Sequence, residues 1–290
     1  STLIMYWSQV RVLAGPPNQL KVIIKFFYIL INLSYNNHIK SEFIIKQFMI
    51  GLSIIIPIYK EKDNFEILVS KIYFNLKKIK INKKNFEVIF VDDNSNDGIE
   101  EIYNRINKKY PSLKLIIRKQ KYRDLSQSCI YGFKNSKFDK ILVMDGDLQH
   151  DPKYIPYFFK QISSGKYDIV IGARNFQKRD RIRLSFTRYI LSKFLIIIFN
   201  FLLGKKSNDP MSGFFIFKRE IFIKSRKKLF GKGFKILSDL LYSSNNNLQS
   251  CDINIIFKSR KNNSSKLGIK VLFYIIKFII LKFVKSFTNN

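Results

Sequence analysis

The sequence predicts an α/β fold organised around a doubly wound, mostly parallel β-sheet. Short apolar runs typical of buried strands alternate with amphipathic helical patterns from residue 52 onward. Each gap between consecutive runs is long enough for the crossover helix that parallel strands require. The predicted strands are Leu52–Pro57, Phe86–Asp92, Leu113–Arg118, Lys140–Asp145 and Tyr167–Gly172.

Helical patterns occupy the gaps between these strands. The first begins at Asp63, a residue type favoured at helix N-caps, with Glu66 three residues later as in a capping box. Beyond the fifth strand, Phe214–Phe217 and Ile253–Phe257 predict further strands, and Phe234–Tyr242 predicts a helix. The crossover helices are predicted at Asp63–Ile79, Gly98–Lys109, Ser126–Ser136 and Pro152–Ser164.

The composition limits the classes of partner. The formal net charge of +31 suggests nucleic acid or an anionic membrane surface. A basic nucleic-acid-binding protein is therefore an alternative, although the basic residues are dispersed and the aromatic residues lie in apolar runs rather than in a polar stacking platform. Cys129 and Cys251 show no disulfide-rich spacing, which fits a reducing compartment with both as core residues.

The segment Ile141–Pro152 carries the strongest chemical signal. Its apolar run is followed at once by Asp145 and Asp147, which a buried strand would place at its carboxyl end, where α/β sheets bind ligands. Two carboxylates one residue apart suit a hard divalent cation that takes its remaining ligands from phosphates and water. Gly146 between them would let a substrate approach the backbone. A simple strand-to-helix turn with solvated acids is the alternative.

Polar clusters that suit a nucleoside follow the first two strands. Tyr59 could stack on a base, Glu61 could accept a hydrogen bond from a ribose hydroxyl, and Asp93 could accept one from base or ribose. Neither a Walker loop nor a G-x-G-x-x-G dinucleotide motif is present in the sequence, which argues against an ATPase or a dehydrogenase.

Six motifs together resemble the family 2 glycosyltransferases of the Rossmann-like GT-A fold. The similarity is to the dolichyl-phosphate mannosyltransferase-like, or polyprenyl-phosphate glycosyltransferase, branch. It covers roughly Ile50 to Phe287. The motifs are Pro57/Tyr59/Glu61, VDDNSNDG, MDGDLQHDP, GAR, DPMSGFF and SRKNNSSKLG, in that order.

The resemblance implies roles for individual residues. Asp145, Asp147 and Gln149 would hold Mg²⁺ or Mn²⁺, and Arg174, Arg188 and Ser192 the acceptor phosphate. Asp145, Asp147 and Arg174 would be the catalytic residues. The donor would contact Pro57, Tyr59, Glu61, Val91, Asp93, Asp145, Gly146, Asp147, Arg174, Arg260 and Lys266.

The resemblance also implies an activity. The expected enzyme transfers a hexose, with mannose first, from a nucleotide sugar to a polyprenyl or dolichyl phosphate, with inversion and with Mg²⁺ or Mn²⁺. GDP-mannose is the first donor candidate and a UDP-sugar the second. Glucosyl or N-acetylhexosaminyl transfer to polyprenyl phosphate or another acceptor is the alternative within the class. No nucleic-acid partner is expected.

Three other acidic or imidazole groups have weaker claims. Asp97 is expected to cap a turn and helix, His150 is a poor candidate for a general base, and Asp239 is a minor candidate because an anionic acceptor phosphate needs no base.

The segment 119–131 departs from the pattern of the family. It reads KQKYRDLSQSCIY where many relatives are Gly-rich, and this departure would bear on which sugar is accepted.

Three regions are predicted along the chain. Residues 1–48 are interpreted as an extension upstream of a natural start at Met49, residues 49–258 as the GT-A domain, and residues 259–290 as a basic loop and an amphipathic helix. Tyr189–Leu203 and Leu267–Phe287 are apolar, and each adjoins a basic segment, so we expect them to lie in a membrane interface. The predicted location is the cytoplasmic face of a membrane. Packing of the last helix on the domain is the alternative.

Overall fold

A computed structural model of the protein provides the coordinates. It describes residues 49–79, 81–120, 122–174, 194, 196–201, 204, 206–233, 236–244, 247–257, 277 and 280. The strands are β1 (Met49–Ile58), β2 (Phe86–Asp92), β3 (Leu113–Ile117), β4 (Phe138–Val143), β5 (Ile169–Arg174), β6 (Phe215–Lys218) and β7 (Ser250–Ile255). The α-helices whose bounds lie within the described residues are α1 (Lys62–Lys78), α2 (Ile99–Ile106), α3 (Leu125–Asn135), α4 (Ile155–Ser163), α5 (Arg219–Ser225) and α6 (Ile236–Ser243).

The described strands form one sheet with the order β3-β2-β1-β4-β6-β5-β7. All neighbouring pairs are parallel except those of β6, which runs antiparallel to β4 and to β5. The carboxyl ends of the other six strands therefore lie at one edge of the sheet, together with the start of β6. The prediction of a doubly wound, mostly parallel sheet is confirmed.

Hydrophobic cores cover both faces of the sheet. Along β1, Leu52, Ile54, Ile56 and Ile58 pack into the core beneath α1 and α4, whereas Ile55 packs into the core beneath α3, α5 and α6. This alternation follows from the two-residue period of a strand. Because both faces are buried, β1 and β2 are apolar almost throughout, as the runs in the sequence indicate.

The start of α1 differs from the sequence prediction. Glu61, rather than Asp63, is the N-cap residue, and its side chain makes no capping hydrogen bond. The backbone N–H of Lys62 instead donates to Asp97 Oδ2 at 3.2 Å. A cap from another loop replaces the local one because the carboxyl ends of β1 and β2 are adjacent.

Part of the predicted interfacial segment 189–203 is described. Residue 194 and residues 196–201 are helical. Ile196 and Phe199 are buried, whereas Phe194, Ile197 and Phe201 are 56%, 64% and 84% exposed. The spacing of the exposed residues places them on one helix face. Among the described residues, no helix is both long and apolar enough to cross a membrane.

Other predicted regions are not tested. Residues 1–48 and most of Leu267–Phe287 lie outside the described residues. Both cysteines are free, and Cys129 is buried as predicted, whereas Cys251 is only partly buried. Burial raises the pKa of the Cys129 thiol well above its ordinary value, which keeps it neutral.

Close packing of α3 on the sheet generates a stability prediction. A Cβ on Gly132 would lie 2.4 Å from Ile55 Cγ2 and 3.3 Å from Val91 Cγ2. Because both neighbours belong to buried strands, Gly132→Ala should lower the free energy of unfolding by about 1–3 kcal/mol. Urea denaturation would measure this change.

Lys134→Ala is the matched control, because Lys134 is exposed on the same helix. It should change the free energy of unfolding by less than about 0.5 kcal/mol. Equal stability of the Gly132→Ala variant and the unsubstituted protein would contradict the close approach of α3 to β1.

Candidate active site

The candidate site lies where the strand order reverses. The chain runs outward from β1 through β2 to β3 and then returns to β4 on the other side of β1. Ligands of open α/β sheets bind outside the carboxyl ends of the strands at such a switch point. Tyr59 follows β1, Asp93 follows β2, Asp145 follows β4 by two residues, and Arg174 ends β5. The topology thus brings four separate sequence motifs to one edge.

The two carboxylates after β4 are partly exposed at this edge. The Asp145 side chain is 33% exposed, and Asp147 Oδ1 accepts a hydrogen bond from the backbone N–H of Gln149 at 3.1 Å. Leu148, which lies between Asp147 and Gln149, has a φ of 62°, in the left-handed region that is uncommon for a residue with a side chain. This turn keeps the Asp147 carboxylate beside the Gln149 backbone.

Two glycines allow this arrangement. A Cβ on Gly213 would lie 2.3 Å from Asp145 Oδ2 and 2.8 Å from Asp145 Cγ, so the carboxylate occupies the space of a missing side chain. A Cβ on Gly146 would lie 2.5 Å from Ile58 Cγ2. Gly146 is buried, and its small size serves packing against β1. The structure therefore gives Gly146 a packing role in addition to the predicted contact with a donor, which stays a prediction.

The buried side chain of His150 contacts the backbone of Asp145. Its side chain is 2% exposed, and its ring lies 5.2 Å from the rings of Phe214 and Phe257. The backbone N–H of Asp145 points to His150 Nδ1 at 3.4 Å. Asp145 Oδ2 lies 3.6 Å from the same nitrogen. His150 is thus close to both the backbone and the carboxylate of Asp145.

The donor set fits a hard divalent cation. Asp145 and Asp147 offer carboxylate oxygens and Gln149 an amide oxygen, all in partly exposed residues. No cluster of three or more His, Cys, Asp or Glu side chains suited to a metal ion occurs in the described part of the chain. A pair of acids leaves coordination positions for phosphate oxygens and water, as Mg²⁺ prefers.

The end of β1 and the loop after it contain three predicted donor-binding residues, Pro57, Tyr59 and Glu61. Pro57 and Val91 are register partners in β1 and β2, and both are buried. Val91 packs in the core, so its contact with a nucleoside would use backbone atoms. Tyr59 and Glu61 are partly exposed, and Glu61 Oε2 accepts from Asn64 Nδ2 at 2.7 Å.

Asp93 is engaged by the protein itself. Its Oδ1 lies 2.5 Å from Arg118 Nη2 in a pair that is 7% exposed on each side. That oxygen has no aligned hydrogen bond, so the contact is ionic in character. Its Oδ2 accepts from the backbone N–H of Asp124 at 2.8 Å. Asp93 therefore anchors the loop after β3, and its predicted contact with a nucleoside stays a prediction.

Neighbouring acids shape the loop after β2. Asp92 accepts from the backbone N–H and the hydroxyl of Ser95, and the same hydroxyl accepts from the backbone N–H of Lys60 at 2.8 Å. Burial raises the pKa of the Asp92 carboxyl, and the Ser95 hydrogen bonds oppose this shift. Asp97 accepts from the N–H groups of Lys62 and Ile99, in agreement with its predicted capping role.

Arg174 is held by Asp209. Its Nε and Nη2 donate to the two carboxylate oxygens at 2.7 and 2.8 Å, and its backbone N–H donates to Oδ2 at 3.2 Å. Asp209 is 0% exposed, whereas the Arg174 side chain is 20% exposed. Two guanidinium donors thus orient the side chain, and the predicted contacts of Arg174 with phosphates are not tested by this geometry.

Asp239 has a structural position. Its carboxylate accepts from the backbone N–H groups of Phe230 and Gly231 at 2.9 and 2.7 Å, and from Ser243 Oγ at 3.1 Å. These bonds hold the loop before α6. The weak claim of Asp239 to act as a general base stays a prediction.

Sequence reasoning missed Asp124, the N-cap of α3. Its Oδ1 accepts from Gln127 N at 3.0 Å and its Oδ2 from Gly233 N at 2.7 Å. Burial raises its pKa, which these hydrogen bonds oppose. An Asp three residues before Gln127 is a capping signal that could have identified Asp124.

Four predicted site residues are not tested by the structure. Arg188, Ser192, Arg260 and Lys266 lie outside the described residues.

The contact between Gly213 and Asp145 generates a prediction. In Gly213→Ala the new methyl group must displace the Asp145 carboxylate. The cation-dependent sugar transfer that the sequence motifs predict should fall on the order of 10²-fold, since a misplacement of about 1 Å can cost that much. Steady-state kinetics would measure this loss.

Gly165→Ala is the control, because nothing lies within 4 Å of the Cβ added to Gly165, although its positive φ of 79° strains an alanine there. It should retain turnover even where stability falls. Unchanged kinetics in Gly213→Ala, with the fold intact by circular dichroism, would contradict a role for the Asp145 position.

Dolichol-phosphate mannosyltransferases of other organisms are similar to this chain in sequence. The chain is 34% identical over 230 residues to a dolichol-phosphate mannosyltransferase from Pyrococcus furiosus, covering 79% of this chain and 62% of that protein. It is 28% identical over 253 residues to the dolichol-phosphate mannosyltransferase of Saccharomyces cerevisiae, covering 83% and 90%. The chain thus spans less than two thirds of the archaeal relative's length.

Solved structures support the fold. A glucosyl-3-phosphoglycerate synthase from Mycobacterium tuberculosis in complex with UDP superposes with a TM-score of 0.60 at 15% identity, covering 81% of this chain and 79% of that one. Residues 53–226 match the sequence profile of Glycosyl transferase family 2. This match spans more than half of the chain, and it includes the motifs after β1, β2, β4 and β5. The chain therefore belongs to glycosyl transferase family 2.

Proposed function

We propose that the protein transfers one hexose from a nucleoside diphosphate sugar to the phosphate of a polyprenol or dolichol, with inversion at the anomeric carbon. Mannose is the first candidate, because the curated relatives at 28–34% identity are dolichol-phosphate mannosyltransferases. The structural observation that carries the proposal is the meeting of Asp145 and Asp147 with the Tyr59 loop at the switch point of the sheet.

Asp145, Asp147 and Gln149 would hold Mg²⁺ or Mn²⁺. The cation would neutralise charge on the leaving diphosphate. Asp145 is kept in place by the Gly213 contact and by the His150 contact to its backbone. Such preorganisation means that the carboxylates need little rearrangement as charge develops during the reaction.

The nucleoside of the donor would lie on the β1 and β2 side of the site. Tyr59 and Glu61 are partly exposed there, and Asp93 secures the neighbouring loop through Asp124. Arg260 and Lys266 would close on the donor phosphates. They follow β7, whose carboxyl end lies at the same edge of the sheet. GDP-mannose is the first donor candidate and a UDP-sugar the second.

The acceptor phosphate would attack the anomeric carbon from the face opposite the diphosphate. Its oxygen forms the new bond to carbon as the bond to the diphosphate oxygen breaks, and the nucleoside diphosphate leaves with the electron pair. The acceptor is already anionic near neutral pH, so the step requires no general base. Arg174, oriented by Asp209, would hold this phosphate together with Arg188 and Ser192.

Membrane association follows from the chemistry of a lipid acceptor. The helix at residues 194–201 exposes Phe194, Ile197 and Phe201 and buries Ile196 and Phe199, so an apolar face points away from the core. We propose that this face and Leu267–Phe287 contact the lipid interface at the cytoplasmic face, close to basic segments that favour anionic lipid.

Asp147→Asn tests the cation site. The amide retains an oxygen that can accept from the Gln149 N–H but removes one negative charge. Release of nucleoside diphosphate from GDP-mannose in the presence of polyprenyl phosphate should fall by about 10²-fold or more, because electrostatic stabilisation of the transition state is lost.

Glu101→Gln is the matched control, since it removes one exposed carboxylate on α2. It should leave turnover unchanged. Near-normal turnover in Asp147→Asn would refute the assignment of Asp147 to the cation. Absence of metal-dependent release from any nucleotide sugar by the folded, unsubstituted protein would refute the proposed function.

Substitution of Phe194, Ile197 and Phe201 by Ser tests the lipid contact. Burial of each such side chain contributes about 1.5–3 kcal/mol. The triple variant should therefore sediment less with vesicles of anionic phospholipid and turn over the lipid acceptor more slowly, while nucleotide-sugar binding is retained. Vesicle sedimentation and calorimetry would measure the two effects.

A double variant of Ile67 and Phe74 to Ser is the control, because both residues are exposed on α1. Its sedimentation should equal that of the unsubstituted protein. Equal vesicle binding by the triple variant would contradict the proposed lipid contact of residues 194–201.

A further inference from the structure

Arg123 lies over the ring of Tyr59, the residue proposed to contact the donor base. Its guanidinium carbon is 4.2 Å from the centroid of the Tyr59 ring, within the range of a cation–π interaction. Lys60 Nζ is 5.8 Å from the same centroid. Arg123 belongs to the loop between β3 and α3, which approaches Tyr59 from a different part of the sequence.

The loop that carries Arg123 is anchored on both sides. Arg118 Nη2 donates to the carbonyl of Tyr122 at 3.2 Å, directly before Arg123. Directly after it, Asp124 N donates to Asp93 Oδ2 at 2.8 Å, and the Asp124 carboxylate accepts from Gly233 N at 2.7 Å. These bonds hold the backbone of Arg123 beside the nucleoside loops, which favours a ligand contact with little ordering cost.

Two other arginines at this edge are committed to carboxylates of the protein. Arg118 is 7% exposed and paired with Asp93, and Arg174 is bound through two donors by Asp209. Arg123 differs because it is exposed. An exposed guanidinium beside the Tyr59 ring lies where a base of the donor would enter.

We infer that Arg123 contacts the nucleobase of the donor and selects guanine over uracil. Guanine presents two neighbouring acceptors, O6 and N7, which match the guanidinium fork in a bidentate contact. Uracil presents one acceptor, O4, beside a C–H group on the corresponding edge. This inference rests on the proposed function. It gives segment 119–131 a role in recognising the base of the donor, whereas the sequence pattern had suggested a role in selecting the sugar.

Calorimetric titration of GDP and of UDP, each with Mn²⁺, tests the inference in the full chain. The unsubstituted protein should bind GDP more tightly than UDP. Arg123→Ala should weaken GDP binding by about 5- to 150-fold, which is the discrimination expected of one bidentate contact. UDP binding should change much less, because its edge cannot use both donors.

Lys119→Ala is the matched control, since Lys119 is an exposed cation of the same loop. It should preserve the ratio of GDP to UDP affinity. A second probe is 7-deaza-GDP, which lacks the N7 acceptor but keeps O6. The unsubstituted protein should bind it more weakly than GDP, whereas Arg123→Ala should bind the two equally.

The outcomes separate this inference from the proposed function. If Arg123→Ala weakens the binding of GDP and of UDP equally, the guanidinium contacts the diphosphate that both nucleotides share. That result would overturn the inference but not the proposed function. An unchanged affinity ratio, or tighter binding of UDP by the unsubstituted protein, would also overturn it alone. Failure of the unsubstituted, folded protein to bind either nucleotide would overturn both.

Discussion

The contact between the Asp145 carboxylate and Gly213 is the constraint on which the site depends. The carboxylate fills the volume that any side chain at residue 213 would occupy. The contact exists because β6 runs antiparallel to β4, so the loop before β6 meets the end of β4 at the same edge. A parallel strand at that place would bring its other end to the site.

The same loop, residues 209–213, also orients Arg174. Asp209 is fully buried and binds two donors of the Arg174 guanidinium. Ser212 Oγ donates to the carbonyl of Gly172 at 2.7 Å, which ties the loop to β5. Removal of one partner from a buried ion pair typically costs about 3–5 kcal/mol. One short loop therefore sets the positions of a carboxylate and a guanidinium that belong to different strands.

A second network organises the opposite side of the site. Asp93 joins Arg118 and Asp124, and Asp124 in turn reaches Gly233. The loops after β2 and β3 and the loop before α6 are thereby linked. Asp93 has a carboxylate that could contact a nucleoside, yet this carboxylate also binds Arg118 and the backbone N–H of Asp124. Its contribution to donor binding would therefore include the placement of Arg123 beside Tyr59.

Much of the fold could be predicted from the sequence, because each strand is an apolar run and each crossover helix has its own apolar stripe. The predicted runs Phe86–Asp92 and Leu113–Arg118 correspond to β2 and β3 within one residue. The predicted cap Asp63 was wrong because the sequence pattern is local, whereas the observed cap, Asp97, comes from the next loop. Asp97 itself was correctly predicted to cap, since Asp before a helix satisfies unpaired N–H groups.

The fold class, the family resemblance and the candidate residues after β1, β2, β4 and β5 follow from the amino-acid sequence, because these depend on residue type and short-range spacing. The folded chain alone shows which of these side chains are bound by other groups of the protein. Asp93 pairs with Arg118, and Arg174 with Asp209, across 25 and 35 residues of sequence. Such pairs depend on which loops the strand order brings together, and no local pattern encodes that order. For the same reason only the folded chain placed Arg123 over Tyr59 and Gly213 against Asp145.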